Sequence, residues 1–162
     1  MLPASSRKRS GEVPATASPH DPPATRRIVR VEPVMGTVVS FDVRLPGGSA
    51  ELPDPKSIER ALDAACRALH DVDARFSLYR PDSELSRLGR GELGESDLST
   101  DARWVLAACD DIARTSGGAF DARGHRDDGV VDPSGFVKGW AVEAAAERLT
   151  EAGATDWSIA AG

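Results

Sequence analysis

The chain has 162 residues, is 40% hydrophobic and 28% charged, and carries only 5% aromatic residues, the scale of one domain able to bury a core of its own. Twenty Lys and Arg against 26 Asp and Glu give a formal charge of -6, which argues against polyanion binding, nucleic acid above all, as the main task of the surface. No run approaches the roughly 20 consecutive apolar residues of a membrane span, and no apolar stretch follows the basic Arg7, Lys8 and Arg9, so the chain reads as cytoplasmic, without a signal peptide or transmembrane segment.

Residues 1–27 hold Pro3, Pro14, Pro19, Pro22 and Pro23 among Ser, Thr and Ala with no aromatic residue. They are expected to form a disordered tail, because they cannot bury enough apolar area to offset the entropy of ordering them. From Ile28 the pattern changes. Branched residues with near period-two alternation over 28–32 and 38–44 predict two strands, or one bent strand interrupted at 33–36. That spacing puts Val39, Phe41 and Val43 on one face and Ser40, Asp42 and Arg44 on the other. Pro46, Gly47 and Gly48 end the run. Asp54 before Pro55 opens a helix, with Ile58, Leu62, Ala65, Cys66 and Leu69 recurring at helical period to about His70. Ser99 caps a second helix whose apolar stripe reads Trp104, Val105, Ala108 and Ile112, ending near Ser116, Gly117 and Gly118. A third spans about 136–152, with Val142, Ala145 and Leu149 inward and Gly153 as its stop. Trp157 and Ile159 then alternate with Ser158 and Ala160 as the start of a strand that ends at Gly162, the pattern expected of a chain cut through its fold. Cys66 and Cys109 lie among Ala and Leu and are expected to be buried free thiols.

Four loops carry chemistry-bearing residues. In Pro33-Val34-Met35-Gly36-Thr37, Gly36 marks either a β-bulge with Met35 as core filler or the close approach of a ligand, with Met35 as a soft surface for a flat ring. Phe76-Ser77-Leu78-Tyr79-Arg80-Pro81-Asp82-Ser83-Glu84-Leu85 sets the only Tyr beside a guanidinium, hydroxyls and two carboxylates. Those groups suit a nucleotide or heteroaromatic ligand, but helix capping and surface contacts account for them more readily. In Ser116-Gly117-Gly118-Ala119-Phe120-Asp121 the glycines free the backbone to present its polar groups, and Asp121 suits a ring N–H or a ribose hydroxyl. Val131-Asp132-Pro133-Ser134-Gly135-Phe136-Val137-Lys138-Gly139-Trp140 forms the mouth of the third helix, where Lys138 stands against the helix dipole unless an anion compensates it. His20, His70 and His125 fall in the tail, at a helix end and in the solvated charged loop 123–128, and none is a candidate base. Phosphate-loop, dinucleotide, zinc-protease and Cys-x-x-Cys patterns are absent. A phosphate site built from these oxygen donors calls for Mg²⁺ rather than zinc.

Met35-Gly36-Thr37, the segment 76–85, Gly117-Gly118-Ala119-Phe120-Asp121 and the segment 132–143 stand in an order and spacing that resemble the ApbE family of flavin transferases, FAD:protein FMN transferases, across most of residues 30–162. The resemblance implies an α+β fold with a mixed or antiparallel sheet and packed helices. It implies cleavage of the FAD pyrophosphate with Mg²⁺, transfer of FMN to a Thr or Ser hydroxyl of an acceptor flavoprotein, and release of AMP. It also implies cofactor-binding roles: Met35 near the flavin, Tyr79 on the ring or adenine portion, Ala119, Phe120 and Asp121 lining the dinucleotide cleft, and Asp132 and Lys138 flanking FAD. The carbonyl of Gly135 becomes one metal contact, and no catalytic residue is named. Family members usually carry an Ala-Gly-Gly-Asp-like turn where this sequence reads Ser158-Ile159-Ala160-Ala161-Gly162, and farther on an Asp and a Thr that complete the metal site. The sequence thus reads as the N-terminal part of a flavin transferase, truncated at its C-terminus. The alternatives are a non-catalytic flavin or nucleotide-binding protein and an inactive fragment.

Overall fold

The computed structural model describes residues 25–45, 47, 53–124 and 130–162. The expected tail up to residue 24 and the centre of the charged loop around His125 lie outside the described residues.

The alternating segments form β1 (Arg26–Val34) and β2 (Thr37–Leu45), an antiparallel hairpin with Arg26 opposite Leu45 and Val34 opposite Thr37. β1 begins two residues before Ile28, because Arg26 and Arg27 already pair with Leu45 and Arg44. Arg27 also grips Asp42 through two hydrogen bonds of 3.0 and 2.7 Å. β3 (Trp157–Ala161) joins the other edge of β2, with Phe41 opposite Ile159 and Val43 opposite Trp157. The sheet order is β1-β2-β3, and the described residues between β2 and β3 in sequence are helical or loop.

The first helix, α1 (Pro55–Phe76), opens as its sequence predicts: the Asp54 carboxylate accepts from the Lys56 amide at 3.2 Å, and Pro55 takes the first turn. It continues past His70 to Phe76, since Leu69, Val72 and Phe76 extend the buried stripe through the acidic Asp71 and Asp73. A short α2 (Glu84–Gly89) and a 3₁₀ turn (Glu95–Asp97) follow. In α3 (Thr100–Thr115) the Ser99 hydroxyl accepts from the Ala102 amide at 3.2 Å. Its inward face is Ala102, Val105, Leu106 and Cys109. Trp104 and Ile112, read as part of that stripe, lie on its flank, and Trp104 is 52% exposed. The reason is a second helix beside it: the Trp104 ring lies 5.9 Å from Phe136 and 5.8 Å from Trp140 of α4 (Ser134–Glu151). In α4, Val137, Ala141, Ala145 and Leu149 face inward at helical spacing, whereas Val142 is only half-buried.

One core results, with Val39, Phe41 and Val43 from the sheet and Ile58, Leu62, Leu69 and Leu149 among the helical residues, all fully buried. On β1 the polarity of the two faces is reversed. Val29 and Val31 are exposed, while Arg30 meets Asp63 at 2.9 Å and Glu32 meets His70 Nε2 at 2.7 Å, both on α1. Among the described residues no helix is long and apolar enough to cross a membrane.

Cys66 and Cys109 are free and buried. Burial, reinforced by Asp110, pushes the Cys109 thiol up to about 11. The unfolded chain releases that proton near pH 9 and the folded chain keeps it to about pH 11, so stability from this group falls as pH rises through that window. At pH 8, native Cys109 is expected to alkylate about 100-fold more slowly than in urea, the factor a two-unit rise in thiol pKa sets. Peptide mass spectrometry after timed iodoacetamide treatment reads the rate, and native labelling within tenfold of the unfolded rate contradicts the burial.

Candidate functional site

The hairpin turn places Met35. A two-residue connection matches the strand twist best when both central residues take left-handed backbone angles, and here Met35 has φ 55° and Gly36 φ 68°. Glycine adopts this freely, but for methionine it is strained. Met35→Asn is expected to raise stability by roughly 0.5–1 kcal/mol, because Asn tolerates the left-handed region. A urea titration checks this, and an unchanged or lower midpoint would mean that Met35 packing outweighs the strain.

Tyr79 is placed by a serine network at the end of α1. Ser83, 1% exposed, donates to the Ser77 carbonyl at 2.6 Å and accepts from the Ser86 amide at 3.0 Å, capping α2. Ser86 Oγ reaches the same carbonyl at 3.2 Å, and Ser77 Oγ accepts from the Tyr79 amide at 3.3 Å. Arg90 donates to the Pro81 carbonyl at 2.6 Å. The backbone of the loop is held while the Tyr79 ring is left 95% exposed. Ser83→Ala is expected to cost about 1–2 kcal/mol, removing a helix cap and a buried hydrogen bond together. A thermal melt within 1 °C of the parent would show the network to be dispensable.

The third loop grows out of the end of α3. Gly117 and Gly118 have φ 63° and 84°, and the Gly118 amide returns to the Ala113 carbonyl at 2.9 Å, so both glycines serve the helix stop. The Phe120 amide donates to Ser116 Oγ at 3.2 Å. Asp121 Oδ1 accepts from the amides of Arg123 and Gly124 at 2.8 and 3.0 Å. The fourth loop is stitched to the third by the Asp132 amide, which donates to the Ala122 carbonyl at 2.7 Å. Asp132 Oδ1 in turn accepts from the Ser134 amide at 3.0 Å at the start of α4. Gly135 packs against Phe120, whose ring a Cβ would meet at 3.1 Å. Asp121 and Asp132 thus each shape a turn.

These loops enclose two adjoining depressions. Met35, Tyr79 and Lys138 line one, of about 50 Å³, with Asp73, Phe76 and Ser77 of the α1 end. Ala119, Phe120, Asp121, Asp132 and Gly135 line the other, of about 220 Å³. Ser134 lines both. Every residue assigned from sequence borders one of the two. Asp73 and Ser134 went unassigned. Asp73 was recoverable from the α1 periodicity, one turn past Leu69, and Ser134 from its place in the helix-mouth segment. Lys138 sits in the first two turns of α4, which has no acidic residue in its first turn. The donors present do not make a magnesium site by themselves. Gly135 contributes one carbonyl, and among the described residues no three His, Cys, Asp or Glu side chains are grouped to hold a metal, whereas Mg²⁺ demands near-octahedral oxygen coordination.

The same arrangement of sheet and helices forms part of solved flavin transferases. Flavin transferase ApbE from Vibrio cholerae superposes with a TM-score of 0.63 at 20% identity, over 85% of this chain and 57% of that one. The apo form of Pseudomonas stutzeri flavinyl transferase ApbE gives 0.62 at 19% identity, over 83% and 55%. No curated protein matches the sequence significantly. The sequence model of the ApbE family matches residues 35–125, more than half of the chain. The chain belongs to the ApbE family, and it spans little more than half the length of the two structures.

Proposed function

We propose that the chain forms the FAD-holding portion of an FAD:protein FMN transferase. The observation that supports this most is the convergence of Met35, Tyr79 and Lys138 with Ala119, Phe120, Asp121, Asp132 and Gly135 on two depressions that meet at Ser134. In this reading Met35 lies against the flavin, Tyr79 stacks on a ring of the dinucleotide, Asp121 and Asp132 anchor polar groups, and Lys138 offsets pyrophosphate charge. The reaction joins a Thr or Ser hydroxyl oxygen of an acceptor protein to the FMN phosphorus. The phosphoanhydride bond breaks, AMP leaves with the bonding electrons, and the hydroxyl proton is released. Positioning and charge neutralisation dominate such transfers, and Lys138 supplies one positive group. The Gly135 carbonyl would be one contact of a Mg²⁺ ion that would neutralise pyrophosphate charge, and the described residues do not complete its coordination.

A second reading is a flavin or nucleotide-binding protein without transfer, for which the same two depressions suffice. Fluorescence titration with FAD and riboflavin tests the dinucleotide site common to both readings, with FAD expected to bind more tightly. Equal affinity would remove the case for pyrophosphate recognition. Mass spectrometry of an acceptor protein incubated with the chain, FAD and Mg²⁺ tests transfer: none is expected from this portion alone, and an added FMN-phosphoryl mass would exclude the second reading and show a complete site within these residues.

A further inference from the structure

Arg123 belongs to a stretch that reads as a solvated charged loop, yet its guanidinium is gripped by two carboxylates. Nε and Nη2 donate to the Asp110 carboxylate at 2.7 and 3.2 Å, and Nη1 donates to Glu95 Oε1 at 2.7 Å. Asp110 is on α3 and Glu95 in the 3₁₀ turn, so one side chain bolts two elements together. A paired fork of this kind is the strong form of the charge-assisted hydrogen bond. These hydrogen bonds, Asp110 first and Glu95 second, hold the guanidinium well above its ordinary pKa.

The main chain of the same residue makes a separate contact. Its amide donates to Asp121 Oδ1 at 2.8 Å, beside the Gly124 amide at 3.0 Å. The fit there is close, since a Cβ on Gly124 would run into the Asp121 carboxylate. Asp121 lines the depression together with Ala119 and Phe120. The loop carrying them is therefore tethered at one end by the close of α3 and at the other by Arg123.

We propose that Arg123 is a positioning residue for the ligand site: clamped by Asp110 and Glu95, it fixes through its own amide the orientation of the Asp121 carboxylate toward the bound dinucleotide. This rests on the FAD reading above. Because Arg123 lines a separate depression with Glu95 and Asp110, its side chain acts on the ligand only through Asp121, and that indirectness is measurable.

The test is a double-mutant cycle on FAD affinity in the full chain, at a temperature where circular dichroism shows each variant folded. Arg123→Ala is expected to weaken FAD binding about tenfold, the scale of one hydrogen-bonded anchor misplaced. In an Asp121→Ala background the same change is expected to alter affinity less than about twofold, since residues acting in series are not additive. Asp110→Asn, which keeps the shape and removes the charge, serves as the second probe should Arg123→Ala fail to fold, and is expected to show the same dependence on Asp121. Parent-like affinity in the variants, or equal losses with and without Asp121, overturns the positioning role while leaving the FAD site standing. If the parent chain binds no FAD, the site reading falls and this inference with it.

Discussion

Phe41→Ala is expected to destabilise the chain by about 3–5 kcal/mol, the usual cost of emptying a buried aromatic position. Phe41 is fully buried on β2, the central strand, with Arg30 opposite it on β1 and Ile159 on β3. With strands on both sides and helices above, the surroundings have little freedom to collapse into the space, so the cavity term adds to the lost transfer free energy. Against the 5–15 kcal/mol typical of a domain, this is a large share. Urea titration should show the midpoint falling with an unchanged slope. A loss below about 1 kcal/mol would mean that the sheet and helices do not pack as described.

The second large effect is on binding. Tyr79→Ala is expected to weaken FAD affinity by about 1–3 kcal/mol, the range for removing an aromatic platform from a stacked base. The loss corresponds to roughly 5-fold to 150-fold in Kd. Since the ring is 95% exposed and its loop is held by Ser77, Ser83 and Ser86, the substitution leaves the fold intact and the effect is purely local. Tyr79→Phe should retain most of the affinity, because the stacking face survives. Flavin fluorescence titration reads all three proteins, and an alanine variant within twofold of the parent would remove Tyr79 from the site.

The hairpin and its buried triad were legible because period-two alternation and branched residues agree from Val38 to Arg44, and the helix starts because Asp54 and Ser99 are good caps followed by apolar period. The end of α1 was not, since Asp71 and Asp73 interrupt the hydrophobic pattern while the geometry of the stripe continues beneath them. Trp104 misled for a related reason: a large apolar side chain weighs heavily in a helical stripe, but its ring can be satisfied by a neighbouring helix rather than the core. β1 escaped a face assignment because its valines and its charges trade the usual places, α1 supplying partners for Arg30 and Glu32. The loops of the site could be named one by one from composition. Their meeting at Ser134 could not, because it depends on the last turn of α1 coming to rest beside the first turn of α4. Arg123 was hidden among neighbouring charges, and only the positions of Asp110 and Glu95 distinguish a clamp from a solvated side chain.

The four rings of Phe76, Trp104, Phe136 and Trp140 also give the molecule an optical signature. Trp104 and Trp140 stand 5.8 Å apart with their planes inclined at 40°, and Phe76 meets Trp140 edge-on at 5.8 Å. Two indoles that close share their excited states, so their near-ultraviolet circular dichroism registers the relative placement of α3 and α4 rather than either helix alone. Phe76 borders the first depression, which carries the cluster to the rim of the site. Indole emission overlaps flavin absorption, so a flavin seated beside Phe76 would drain the fluorescence of Trp140 by energy transfer, and the chain reports occupancy of its own cleft without any attached dye.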